Sequence, residues 1–172
     1  PMDERDRNDA RAAASNVATL AKEMDLPQRR WEQVAVLIAA QKFTAAEQLI
    51  GELEQLERVT SQSKHARATL RLARALVELS VEKLAGETQA VEQQLRELNQ
   101  SAPDFAPAYF TLAQVLELEA DLAAGIGVKD QEKTFLAAAV ETWNQFLAVD
   151  RSLPGEVRKL VSDHVKQLQK KL

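Results

Sequence analysis

The sequence contains no cysteine, and only 2 histidines, 5 glycines, 5 prolines and 5% aromatic residues in its 172 positions. Without cysteine there are no disulfides, thiolate metal sites or cysteine nucleophiles, a fact that does not by itself fix the compartment. No run of about 18 apolar residues occurs, so no segment is suited to insert into a membrane as a spanning helix. The opening Pro1-Met2-Asp3-Glu4 lacks an apolar signal core. Pro1 ahead of Met2 reads as a cloning remnant or the mark of a fragment, which leaves an upstream signal or anchor open. The compartment is therefore unknown, with the cytoplasm favoured. No Gly-rich phosphate loop, nucleophile elbow or dinucleotide fingerprint is present; Gly125-Ile126-Gly127 lacks both a third glycine and a preceding strand, and reads as a turn.

What remains is helix-forming. Apolar residues make up 45% of the chain and charged residues 28%, the balance of a globular protein rather than a disordered one. Ala, Leu, Glu, Gln, Lys and Arg dominate, Val/Ile/Thr runs are missing, and glycine and proline fall between the periodic stretches, where they cost a helix least. The net charge of -4 is too mild to argue for nucleic acid, but its distribution is uneven. Residues 31–60 carry +2 and -5, residues 61–85 +5 and -2, residues 86–150 +3 and -11, and residues 151–172 +6 and -2. Basic and acidic segments thus alternate.

The pattern predicts about eight helices in one domain over 1–172, joined by short turns that force antiparallel neighbours. Residues 1–8 are expected to be disordered, followed by an entry helix with Ala13, Val17, Leu20 and Met24 on one face. Three helix pairs follow at 28–59, 62–101 and 105–150, and a capping helix at 153–172. In the first pair, Pro27 suits a first helical turn; Trp31, Val34, Ala35 and Ile38 form one stripe, and Ala46, Leu49, Ile50, Leu53 and Leu56 the facing one. Lys42-Phe43 is the turn, and Thr44-Ala45-Ala46-Glu47 reads as a capping box. Thr60-Ser61-Gln62-Ser63 breaks the chain and caps a helix expected to run to about Ala85, with Ala66, Leu70, Ala73, Val77 and Leu84 inward and Gly86 ending it. Val91, Leu95 and Leu98 belong to the next helix. The third pair places Tyr109, Leu112, Ala113 and Leu116 before the Gly125 and Gly127 stop, and Phe135, Ala139, Trp143, Phe146 and Val149 after it, with Asp130 as cap. Ser152 and Pro154 open the last helix.

Each second helix places an alanine where it would cross its partner closely: Ala46, Ala90 and Ala139. Recurrent helical hairpins are the mark of a solenoid, since one hairpin cannot bury its own apolar face. Here the residues resemble a known family. Residues 108–116, Ala-Tyr-Phe-Thr-Leu-Ala-Gln-Val-Leu, are similar to the first helix of a tetratricopeptide repeat. Residues 139–150, with Ala139, Trp143 and a closing Val149-Asp150, are similar to its second helix. The family's closing proline is replaced by Arg151. The Lys42-Phe43-Thr44-Ala45-Ala46 turn resembles the family's interhelix turn, and the middle pair matches least, retaining Ala90 and Ala102-Pro103-Asp104. A standard repeat runs about 34 residues, and the third pair is longer, between Leu116 and Ala139. The resemblance covers residues 28–150 and implies an all-α fold, a right-handed stack of antiparallel hairpins with a groove that holds a protein or peptide.

The chemistry on offer is sparse, and no catalytic, cofactor-binding or metal-ligating residues are assigned. His65 and His164 stand beside charged residues and are read as surface histidines, and neither has the second ligand at helical spacing that a metal site requires. Glu78 with Glu82 and Glu117 with Asp121 are read as solvated helix faces. One surface feature stands out. Lys64, Arg67, Arg71 and Arg74 recur at i, i+3, i+7 and i+10, a basic stripe suited to an acidic segment or a carboxylate terminus. The resemblance places such first-helix residues in the groove, although the asparagines of the family's carboxylate clamp have no match here. The last helix sets Val157, Leu160, Val161, His164, Val165 and Leu168 against Arg158, Lys159, Lys166, Lys170 and Lys171, the make-up of a capping helix rather than a membrane or nucleic-acid surface. The reading is therefore a non-enzymatic adaptor or scaffold. The alternative is a helical oligomerisation or assembly module, a homo-oligomer included.

Overall fold

Pro27 opens α1 (Pro27–Ala39), where its missing N–H would have no partner in any case. The helix ends in a Schellman turn: the Lys42 N–H reaches the Leu37 carbonyl at 2.8 Å and the Gln41 N–H the Ile38 carbonyl at 2.9 Å, with Gln41 at φ 56. α2 (Phe43–Glu57) starts on the next residue but one. The computed structural model describes residues 27–172; the expected disorder at 1–8 and the entry helix lie outside them. The described residues form seven α-helices and no strand. The chain divides into two compact units, Pro1–Arg58 and Val59–Leu172.

In the first unit α1 buries Trp31, Val34 and Ile38, and α2 buries Phe43, Ala46, Ile50 and Leu53. The Trp31 indole N–H donates to Glu57 and Arg30 pairs with Glu52, both at 3.3 Å, fixing the hairpin register. Two members of the expected stripes are on the outside: Ala35 is exposed, and Leu56 is 69% exposed. Ala35 lies one residue, and so about a quarter-turn, beyond Val34, and the hairpin buries only a narrow stripe. The expected capping box at Thr44 does not form. The Schellman turn delivers the chain into helix at Phe43, with Lys42 at the N-cap and no side-chain cap, so Thr44 is already inside.

The second unit begins with a capping box one turn further on. The Thr60 hydroxyl accepts from the Ser63 N–H at 3.2 Å and the Ser63 hydroxyl from the Thr60 N–H at 3.0 Å. They open α3 (Ser61–Glu78), followed by α4 (Val81–Ser101), α5 (Ala106–Gly125), α6 (Lys129–Val149) and α7 (Gly155–Gln169). Within this unit α4, α5, α6 and α7 each pack on the helix before, and α3 also touches α5. The expected single helix to Ala85 is instead two, separated by extended backbone at Leu79 and Ser80, and Gly86 lies inside α4. A helical glycine costs only about 1 kcal/mol, less than the chain gains by burying Leu84, Thr88 and Val91 on one face. Val77 is 53% exposed as a result, and Ala75 is buried in its place.

α5 is the central helix. It contributes to one core with Ala68, Val91, Leu95, Leu98 and Ala139, and to a second with Leu136, Trp143, Phe146, Val165 and Leu168. Its exit repeats the Schellman turn of α1: the Val128 N–H reaches the Ala123 carbonyl and the Gly127 N–H the Ala124 carbonyl, with Gly127 at φ 78. Asp130 falls in the first turn of α6 rather than at its cap, which is Val128. Between α6 and α7, Asp150 accepts from the Ser152 N–H and hydroxyl, and the Arg158 guanidinium donates to the carbonyls of Leu147 and Asp150 at the end of α6. α7 buries Val165 and Leu168, while Val157 and Leu160 face solvent, so the expected apolar stripe is half covered.

The three second helices bury the same register. Phe43, Ala46, Ile50 and Leu53 in α2 correspond to Thr88, Val91, Leu95 and Leu98 in α4 and to Leu136, Ala139, Trp143 and Phe146 in α6, all buried. The close-crossing position of the middle pair is therefore Val91. Ala90, expected there, is one residue off and only half-buried.

Candidate functional site

The basic stripe of α3 runs along its seam with α4. Lys64 and Arg67 are exposed, Arg71 and Arg74 half-buried. Arg71 Nε donates to Glu87 Oε2 of α4 at 2.5 Å. That hydrogen bond raises the Arg71 guanidinium above its ordinary value and lowers Glu87 below the usual carboxylate range. Arg71 is therefore a partner of the neighbouring helix. At the other end of the seam Lys64 and Arg67 line a groove of about 260 Å³ with Gln94, Glu97, Leu98 and Ser101. The stripe thus has a groove end, Lys64 and Arg67, followed by Arg71 in its ion pair with Glu87.

His65 departs from the surface reading; His164 keeps a side chain 41% exposed but is engaged by a partner. His65 Nε2 lies 2.8 Å from Thr111 Oγ1, tying α3 to α5, and its ring meets Phe105 edge-on. Burial lowers its pKa from 6.5 to about 4, partly offset by the Pro107 backbone, so the ring is neutral near pH 7. His164 Nε2 lies 2.9 Å from both carboxylate oxygens of Glu117, and Oε1 also accepts from the Trp143 indole N–H at 2.6 Å. With the edge-on rings of Phe110 and Phe146 around Trp143, this group joins α5, α6 and α7. Glu117 is thus engaged rather than solvated with Asp121. Glu78 and Glu82, read as one turn apart on one helix, flank the break at Leu79 and Ser80 and are both exposed. Among the described residues no three metal-ligating side chains converge, and no helix is long and apolar enough to cross a membrane.

One residue that the periodicity does not single out is chemically unusual. Glu119 of α5 is only 4% exposed, and neither of its carboxyl oxygens has a hydrogen-bond partner. Thr88 stands near, but its hydroxyl donates to the Ala85 carbonyl, and Glu92 accepts from Arg96. Burial, followed by repulsion from Glu92, pushes the Glu119 carboxyl up from 4.5 to about 7, with a hydrogen-bonding approach to Glu92 adding to the rise; Thr88 opposes it, and Arg96 does so more weakly. In sequence Glu119 sits in Glu117-Leu118-Glu119, where two acids two apart look like a solvated face. Only the packing of α5 on both sides turns the second one inward.

No protein-family model, no curated protein and no solved structure matches this chain.

Proposed function

We propose that this chain is a helical-repeat adaptor or scaffold, similar to tetratricopeptide proteins, which holds an acidic segment or carboxylate end of a protein partner. The observation that carries the reading is the recurrent register of the three second helices, with Ala46, Val91 and Ala139 at corresponding buried positions. Two details support it. The α1–α2 and α5–α6 connections use the same Schellman turn. Pro103 stands as far after Val91 as Arg151 does after Ala139, so the middle pair retains the family's closing proline once its register is corrected.

Within the stripe, Lys64 and Arg67 are the residues assigned to the partner, as they line the groove at the end of the seam. Arg71 and Arg74 supply positive field, with Arg71 held by Glu87. The test is fluorescence anisotropy with a labelled acidic peptide that ends in a free carboxylate. The expected outcome is measurable binding that weakens with salt and falls at least about tenfold in the double variant Lys64→Glu with Arg67→Glu, helicity unchanged. Unchanged binding in that variant removes the groove assignment. Arg71 is left intact because reversing it also breaks the hairpin's ion pair.

A second reading, an oligomerisation or assembly module, is favoured by α7, where Leu160 is 69% and Val157 40% exposed on one face. Light scattering across concentrations decides it: a strict monomer argues against the homo-oligomer.

A further inference from the structure

Glu119 does not stand in solid protein. It lines a cavity of about 320 Å³ between α4, α5 and α6, at the end of α4 remote from the Lys64 groove. The walls are apolar, with Leu122, Ala123 and Phe135 inside and Val81 and Ile126, 64% and 72% exposed, at the mouth. The polar lining consists of Glu82, Gln89 and Gln131 besides Thr88 and Glu119. The size lies at the small end of small-molecule sites, about 300–1,000 Å³. An apolar pocket with one desolvated carboxyl that accepts no well-formed hydrogen bond, although Thr88 and Glu92 stand beside it, is an incomplete arrangement, because such a group ordinarily has its acceptors satisfied. We propose that this cavity binds a small organic cation, an ammonium group on an apolar chain or ring, whose N–H donors close on the Glu119 carboxylate.

The charge pattern selects the sign. Glu82 lines the cavity and Glu92 adjoins Glu119, both acidic; Arg96, also on α4, is the basic group that faces this carboxyl, and its Nε is already bonded to Glu92. From α6 the cavity receives Gln131 and Phe135, which carry no charge. An anion would meet two carboxyls, whereas an ammonium ion converts the buried oxygens into charge-assisted acceptors, the stronger kind of hydrogen bond. The apolar body of the ligand would cover Leu122, Ala123 and Phe135, with Val81 and Ile126 closing over it. Binding also moves a proton. The free carboxyl is held largely protonated below about pH 7; on meeting the ammonium ion it loses that proton to solvent, and the ammonium keeps its own.

The site is independent of the acidic-peptide reading, and the experiment separates them. 4-Phenylbutylamine and its neutral analogue 4-phenylbutanol are titrated into the full chain by calorimetry at pH 6, in buffers of different ionisation enthalpy. The amine is expected to bind at least about tenfold more tightly than the alcohol, with close to one proton released per amine bound. Glu119→Gln should abolish both the preference and the proton release. Ala123→Phe, which fills the cavity, should weaken both compounds, while Lys64→Glu with Arg67→Glu should change neither. Equal affinity for amine and alcohol, amine binding unchanged in Glu119→Gln, no proton release, or no binding of either compound each overturns the proposal.

Discussion

Two buried titratable groups of opposite tendency sit in the second unit, His65 held neutral with a pKa of about 4 and Glu119 raised to about 7. The folded state resists protonating His65 while the unfolded chain does not, so this residue makes stability rise with pH between about 4 and 6.5. The folded state holds the Glu119 proton where the unfolded chain has released it, so this one makes stability fall between 4.5 and about 7. At about 1.4 kcal/mol per unit each effect reaches roughly 3.5 kcal/mol at most, and over the shared window they oppose. The wild type should therefore show a flat urea stability profile from pH 5 to 6.5. Glu119→Gln should tilt it upward with pH and stabilise the protein at pH 8, whereas His65→Gln should tilt it downward. Parallel profiles for all three proteins would show that neither environment is as the packing implies.

At the level of elements, the helices that the apolar period marks are those that form, because Leu98, Leu112, Trp143 and their like are buried whichever neighbour covers them. Boundaries follow different rules. Gly86 looked like a stop, yet an added Cβ there meets no atom within 4 Å and the helix runs through it. Gly86→Ala should accordingly stabilise the chain by about 0.5–1 kcal/mol, read as a higher thermal midpoint; a lower one would mean that α4 does end there. Ser80, with nothing to set it apart from other serines, marks the true break, since the extended backbone at Leu79 and Ser80 lets α4 reverse onto α3. The capping box at Thr60 is local chemistry and was legible; the Schellman turn at Gln41, which has glutamine where glycine is favoured, was not. The site was the least legible. A basic stripe can be counted in sequence, but Glu87 as the partner of Arg71 and the inward turn of Glu119 depend on contacts between α3 and α4 and between α4, α5 and α6.

At the scale of the molecule the two compact units carry one tryptophan each, Trp31 in the first and Trp143 in the second. The second unit gathers α5 into both of its cores, so loss of that helix would undo both together, and it should unfold as one cooperative piece. The hairpin of the first unit rests on a narrower stripe, Trp31, Val34 and Ile38 against four residues of α2. Fluorescence of Trp31→Phe reports the intact second unit through Trp143, and fluorescence of Trp143→Phe reports the intact first unit through Trp31. The removed ring in each case belongs to the other unit, so neither reporter is damaged by its own substitution. The expected urea curves do not coincide, with Trp143 reporting the higher midpoint. Trp143→Phe withdraws the hydrogen bond to Glu117 and leaves a smaller ring against Phe110, Phe146 and His164, a loss on the order of 1–3 kcal/mol to the second unit. If the units unfold separately, that loss leaves the Trp31 midpoint where hydrogen exchange places the α1–α2 amides in the wild type. A Trp31 midpoint that falls together with the second unit would instead identify the chain as a single cooperative array, the behaviour of tightly coupled repeats.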